Sequence, residues 1–214
     1  MKNFFDTEVG LAFIGYDKHD LEQEVLKKTY DKYIKKINSW SSDDGIQRYI
    51  IDEETMKLGD FLELVTKHFA SSNKDCSHEH YIIFEDYTLV GTTLLTINDK
   101  HIKNNLISSE NEPNQFKEDE NPLLYIEYLA TNPEHRNKGI GTRIIKGIIN
   151  NEQLIASSTT SGIAATVDST NTGSKRALLK NRFICLPAKV FSGIDEKFNV
   201  LYFGKHKKIF EKDL

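Results

Sequence analysis

Leu123-Leu124-Tyr125-Ile126-Glu127-Tyr128-Leu129-Ala130-Thr131-Asn132-Pro133-Glu134-His135-Arg136-Asn137-Lys138-Gly139-Ile140-Gly141-Thr142 is the stretch on which the fold turns. Its apolar first half, Leu123 to Thr131, reads as a buried strand, and the Asn-Pro pair ends it. From Gly139 to about Asn151 the period changes to that of a helix, with Ile140, Ile144, Ile145, Ile148 and Ile149 on one stripe. A strand therefore feeds a tight loop, and the loop opens a helix. The first N–H groups of such a helix lack partners and point outward, with the helix dipole behind them. A helix start of this kind is a ready anion site. Gly139 and Gly141 let the backbone approach a phosphate closely. Arg136 and Lys138 add positive charge, and the Thr142 hydroxyl can donate a hydrogen bond.

Two common phosphate fingerprints do not fit. The nucleotide P-loop needs a glycine, four intervening residues and then a Gly-Lys-Ser/Thr run, which is missing here. The dinucleotide fingerprint needs a third glycine where this chain has Ile144.

Upstream, residues 9 to 16 read as a short strand. A long amphipathic helix is expected over about 19–38, with Leu21, Val25, Leu26, Tyr30, Tyr33, Ile34 and Ile37 on its apolar stripe. Ser39 to Gly45 is a polar break. A second helix is expected over about 60–70, with Asp60 as N-cap and Phe61, Leu62, Val65 and Phe69 buried. Tyr81–Phe84 and Leu89–Ile97 form a hairpin about a polar turn. Residues 99–121, rich in Asn, Glu and Lys, read as an exposed insertion. Downstream follow a strand at Ile163–Val167, a short helix at Thr172–Asn181, and closing strands at Phe183–Phe191 and Phe198–Phe203. This order predicts an α/β fold: a single mixed, mostly antiparallel sheet flanked by helices.

Composition agrees with a soluble enzyme-sized domain. Of 214 residues, 38% are hydrophobic, enough for a sizeable core. The net charge of -4 argues against nucleic-acid binding, since phosphate backbones call for a basic excess. The basic run Lys205-His206-Lys207-Lys208 reads as a solvated tail. No apolar run reaches the length that spans a bilayer, and the N-terminal segment lacks the apolar core of a secretion signal. Cys76 and Cys185 are too few for a disulfide framework. Together these features predict a cytoplasmic protein without membrane or nucleic-acid partners.

The run Leu129 to Gly141, read as Leu-Ala-Thr-Asn-Pro-Glu-His-Arg-Asn-Lys-Gly-Ile-Gly, closely resembles the acyl-CoA signature of the GNAT superfamily of N-acetyltransferases. A second segment, Asp168-Ser169-Thr170-Asn171-Thr172-Gly173-Ser174 followed by Ala177 to Phe183, resembles that family's second coenzyme segment. The resemblance implies the acyl-CoA N-acyltransferase fold as one domain over 1–214, with a helical acceptor side at about 19–70. It implies acetyl-CoA as acyl donor, no metal, and a small-molecule or peptide amine as acceptor. It assigns Leu129, Ala130 and Thr131 to the pantetheine arm. Arg136, Asn137, Lys138, Gly139, Ile140, Gly141 and Thr142 would cradle the pyrophosphate, and Asn171 would make a further coenzyme contact. A backbone N–H near Leu129 would hold the oxyanion.

Glu127 is the candidate general base. A carboxylate inside an apolar strand either faces a cleft or is paired, and the family often places a catalytic Glu on this strand. Many members carry a Tyr in the helix after the Asn to protonate the departing thiolate. Here that position is Leu179, and Arg182 stands where a Gly precedes the Phe. Tyr128, Tyr202 and Cys185 remain alternatives for that proton. Cys185 also reads as an inert core thiol. Cys76, His78 and His80 have alternate spacing but no second ligand cluster, so the segment reads as a loop entering a strand, without zinc. Trp40 reads as a packing anchor. Asp43, Asp44, Asp52, Glu53 and Glu54 would suit a cationic acceptor, or are simply solvated surface charges, the commoner role of such residues. A non-catalytic acyl-CoA sensor is the alternative function. The acceptor, the acyl chain length and the oligomeric state, a homodimer included, stay open.

Overall fold

The computed structural model describes residues 1–46, 61–72, 76–97, 119–187 and 194–204. Its strands are β1 (Lys2–Asp6), β2 (Leu11–Tyr16), β3 (Ser77–Glu85), β4 (Thr88–Ile97), β5 (Leu123–Thr131), β6 (Gly162–Asp168), β7 (Ile184–Pro187) and β8 (Phe198–Gly204). They form one sheet of eight strands in the order β1-β2-β3-β4-β5-β6-β8-β7. Every neighbouring pair is antiparallel except β5 and β6, which run parallel. The mixed, mostly antiparallel sheet expected from the element order is therefore present.

Helices cover both faces. On one side, α3 (Ile140–Asn150), the short α4 (Glu152–Ala156) and α5 (Thr172–Lys180) pack Ile140, Ile144, Ile145, Ile148, Ile155 and Leu178 against the sheet. The sheet offers them Leu11, Phe13, Ile83, Leu95, Leu124 and Ile126. On the other side lie α1 (Glu24–Asn38) and α2 (Phe61–Ser71), which pack with Trp40 against Tyr16, Ile82, Leu94 and Tyr128. Alternate strand residues thus serve the two layers, as a two-sided sheet requires. Trp40 is buried in this second layer, as a packing anchor.

Several expectations need correction. The first strand was not expected. Phe4 of β1 stacks on Phe13 with ring centroids 4.6 Å apart, while its neighbour Phe5 points to solvent. Five residues with one inward apolar side chain give too short an alternation to read. A 3-10 turn at Asp20–Glu22 precedes α1, so the helix begins later than expected and Val25 is 75% exposed. Tyr30, Ile34 and Ile37 carry its buried face. In α2, Leu64 takes the buried place expected for Leu62, which is 40% exposed. Positions 61, 64, 65 and 69 carry the buried face, and 62 lies at its edge. Helix α4 was not expected. Strand β7 is described over Ile184–Pro187, and the rest of the strand expected at Phe183–Phe191 lies outside the described residues. The expected N-cap Asp60, the acidic residues Asp52, Glu53 and Glu54, the basic tail and most of the insertion lie outside the described residues.

The hairpin of β3 and β4 turns on Asp86 and Tyr87, at φ 45° and 63°. Two central residues with positive φ match the twist of the flanking strands. In α3, a Cβ at Gly147 would lie 2.5 Å from Cζ of the buried Phe13. Gly147→Val should therefore destabilise the fold by about 3 kcal/mol, the upper part of the overpacking range. Urea denaturation reads this directly. A loss below about 1 kcal/mol would show that Phe13 can move aside.

Candidate active site

The parallel pairing of β5 with β6 covers only Leu123 to Ile126 opposite Gly162 to Ala165. Beyond it both strands continue, β5 to Thr131 and β6 to Asp168, each held by its other neighbour. The two strands therefore splay apart from residue 127 onward. Leu129, Ala130 and Thr131 line this opening along β5, with one backbone edge bonded to β4 and the other facing the gap. Tyr125 stands at its base, its hydroxyl 2.5 Å from Thr166 Oγ1 and accepting from the Thr166 N–H at 3.3 Å.

The splay begins at a bulge. Leu94 pairs with Tyr128 and Leu95 with Ile126, which leaves Glu127 as the extra residue on β5. Leu124 and Ile126 face the α3 layer, whereas Tyr128 and Ala130 face the α1–α2 layer. The bulge thus sends Glu127 and Tyr128 to the same side. Glu127 is half-buried there and its Oε1 accepts from the Thr96 hydroxyl. His68 of α2 and His78 of β3 come to the same spot, their ligand atoms and those of Glu127 all within 4.8 Å of one another. Ser72 Oγ lies 3.0 Å from His78 Nδ1.

At the far end of β5, Asn132 fixes the entry to the loop. Its N–H donates to Val90 O and its Nδ2 to Leu89 O, while its Oδ1 accepts from Glu134 N–H. Asn137 and Gly139 take left-handed backbone conformations, at φ 61° and 76°. Gly139 is the N-cap of α3, and among the described residues no side chain bonds to this terminus. A Cβ at Gly139 would meet nothing within 4 Å, whereas one at Gly141 would lie 3.7 Å from Leu129 and Thr131. The helix start therefore rests on the end of β5 and leaves its cap open. An uncapped helix start of this kind is a general site for phosphate groups. Ile140 is buried and anchors the helix, so only its backbone faces the loop. Lys138 is exposed beside the loop. The Thr142 carbonyl accepts from Asn181 Nδ2 at 2.9 Å, which ties α3 to the end of α5.

Arg136 has an occupation that its position in the sequence did not announce. Its guanidinium grips Asp43 in a bidentate pair, at 2.7 and 2.5 Å. Asp43 also caps the helical turn Asp44–Ile46 by accepting from Gly45 and Ile46 N–H. Desolvation pushes the Asp43 carboxyl up, but the bonds from Arg136 and from these two amides outweigh it and hold the group below its usual range. Asn171 likewise has a structural task as N-cap of α5, its Oδ1 accepting from Ser174 N–H at 3.1 Å.

The proton-donor alternatives separate. Leu179 is exposed on α5. The Tyr202 hydroxyl is buried and donates to Ser161 O at 2.7 Å. Tyr128 is buried with its hydroxyl 2.8 Å from His80 Nε2, and burial pushes its pKa well up. Cys185 is half-buried against the core, and neither it nor Cys76 takes part in a disulfide. Arg182 sits at φ 65°, the conformation for which a Gly is best suited.

His78 and His80 do not share a site. His80 is fully buried between the Tyr30 hydroxyl, 2.8 Å from Nδ1, and the Tyr128 and Thr92 hydroxyls at Nε2. Desolvation lowers its pKa from 6.5 to about 3. The unfolded chain therefore holds one more proton than the folded one between those values. This contribution to stability is complete above pH 6.5 and is lost as pH falls toward 3. The loss amounts to about 2 kcal/mol by pH 5. Denaturant unfolding from pH 7.5 to 4.5 should show this slope, and His80→Asn should flatten it. An equal slope in the variant would move its origin elsewhere.

The sequence profile of the Acetyltransferase (GNAT) family matches residues 39–182. No curated protein matches the chain. Among solved structures, a spermidine N-acetyltransferase from Vibrio cholerae in complex with CoA and spermine is similar at a TM-score of 0.54 and 14% identity, over 94% of this chain and 98% of that one. An acetyltransferase (GNAT family) from Bacillus anthracis is similar at 0.51 and 15%, over 94% and 96%. A ribosomal L7/L12 alpha-N-protein acetyltransferase in complex with coenzyme A is similar at 0.51 and 14%, over 95% and 97%. These likenesses concern the fold. The profile match spans well over half of the chain and takes in the splayed strand, the open helix cap and the segment after β6, so this chain belongs to the acetyltransferase (GNAT) family.

Proposed function

We propose that this protein moves an acetyl group from acetyl-CoA to a primary amine by direct attack on the thioester. The observation that carries this reading is the layout of β5. The open cap at Gly139 lies just beyond the strand's end, and Glu127 stands at the first residue past its last pair with β6. The pyrophosphate would rest on the amides from Arg136 to Thr142, with Lys138 beside it. The pantetheine arm would run along Leu129, Ala130 and Thr131 toward Glu127. Asn171 would contribute its Nδ2, since its Oδ1 caps α5.

Glu127 would take a proton from the ammonium acceptor, directly or through water. The freed nitrogen lone pair attacks the thioester carbon and the carbonyl oxygen becomes an oxyanion beside a β5 amide near Leu129. As the oxyanion re-forms the carbonyl, the C–S bond breaks and the sulfur leaves as thiolate; the nitrogen, which still holds one proton more than an amide does, gives that proton to the thiolate or to solvent. A thiol pKa of about 8.5 makes the anion an adequate leaving group, so the step does not depend on a Tyr at position 179. The acceptor would enter from the α1–α2 side, residues 19–70, within one domain spanning the chain.

The fold neighbours named above bind spermine or act on a protein N-terminus, so a polyamine and a peptide α-amine are the first acceptors to try. The test follows free thiol with acetyl-CoA and a panel of both amine types, beside calorimetry with CoA. Thiol release with at least one amine is expected. Coenzyme binding without release for any amine would favour an acyl-CoA sensor, and no coenzyme binding would end both readings.

A further inference from the structure

One cluster adds two histidines, which the acetyl-transfer chemistry does not use, to the proposed base, and joins three elements of the fold. His68 comes from α2, His78 from β3 and Glu127 from the bulge of β5, with ligand atoms all within 4.8 Å of one another. We propose that these three side chains form a binding site for a divalent transition metal, with zinc the ion that suits them.

Two imidazoles and one carboxylate are a donor set for zinc and its neighbours. Calcium and magnesium prefer oxygen alone. A tetrahedral zinc with bonds of about 2.1 Å places its ligands roughly 3.4 Å apart. The cluster therefore has to close by an ångström or so, and His68, half-buried on a helix surface, is the side chain with room to turn. The supporting contacts that metal ligands need are already present. Ser72 Oγ holds His78 Nδ1 at 3.0 Å, and the Thr96 hydroxyl holds one Glu127 oxygen. Three protein ligands leave a fourth position for water or for an amine nitrogen.

Occupation of this site has a chemical consequence, which rests on Glu127 being the base. A carboxylate bonded to zinc no longer accepts a proton from the acceptor, so the ion would inhibit acetyl transfer while leaving coenzyme binding intact.

The test uses the full chain, stripped with a chelator and titrated with zinc sulfate by calorimetry, and with cobalt chloride by visible absorption. One ion per chain at micromolar affinity is expected, with cobalt bands of a four- or five-coordinate nitrogen–oxygen site. His78→Gln and His68→Gln should each weaken zinc at least tenfold and abolish those bands. His68→Gln changes a half-buried surface residue, and its far-ultraviolet circular dichroism verifies folding. Absent binding overturns the proposal. So does binding that the His variants leave unchanged, which would mark an adventitious ion only or a site elsewhere in the chain. Zinc that binds as proposed yet leaves thiol release unchanged would instead remove Glu127 from the role of base, with the metal site standing.

Discussion

Glu127→Gln should lower kcat by roughly 100-fold or more at pH 7, the low end of what a positioned general base supplies. The substitution keeps the shape of the side chain and an oxygen to accept from the Thr96 hydroxyl, so the bulge should survive it. It removes only the capacity to take a proton. An alkylamine of pKa about 10.4 is almost wholly protonated at neutral pH and loses that need as pH rises. The deficit should therefore be largest at low pH and shrink above pH 9. Affinity for CoA should stay unchanged, because the loop proposed to hold the phosphates lies beyond the far end of the strand. Rates measured from pH 6 to 10, with calorimetry beside them, check both halves. A parallel pH profile in enzyme and variant would show that Glu127 moves no proton.

The second large effect is expected at the helix cap. Gly139→Val should weaken CoA binding more than tenfold and lower stability by about 2 kcal/mol. The backbone there has φ 76°, which costs a residue with a side chain about 1–2 kcal/mol and a β-branched one more. No steric clash adds to this, because a Cβ at 139 points into open space. That same open space is where the diphosphate would sit, so the new side chain would cover the amides that bind it. Gly139→Ala should show the same stability loss in weaker form and a smaller loss of affinity. Calorimetry and urea unfolding separate the two contributions. CoA affinity that survives the valine would place the diphosphate elsewhere on the molecule.

The part of this site that lies within one stretch of chain was legible beforehand. A strand of nine residues, a proline, two glycines and a helix with an isoleucine stripe all speak through local rules, and β5 and α3 appear where the pattern put them. The contacts that cross between elements were not legible. An apolar strand does not announce a bulge, because Leu124, Ile126, Tyr128 and Ala130 look alternate even though the first two face one layer and the last two the other. His68 stood unremarked on a helix, and His78 was grouped with His80, its neighbour two residues on. Packing instead pairs His78 with His68 and shuts His80 among Tyr30, Tyr128 and Thr92. Arg136 looked like a free cation beside two glycines until Asp43, 93 residues away, was seen to hold it.

If the loop takes the coenzyme and the α1–α2 side the acceptor, as proposed, that clamp would join two binding events. Asp43 caps the turn at Asp44–Ile46 and grips the first residue of the loop that opens α3. Any ligand that draws Arg136 away also loosens what packs around Ile46 and Trp40. Linkage is reciprocal: an acceptor that prefers the loosened turn would tighten coenzyme binding by the same factor by which coenzyme tightens its own. Sequential or random entry of the two substrates would then depend on one ion pair at the rim.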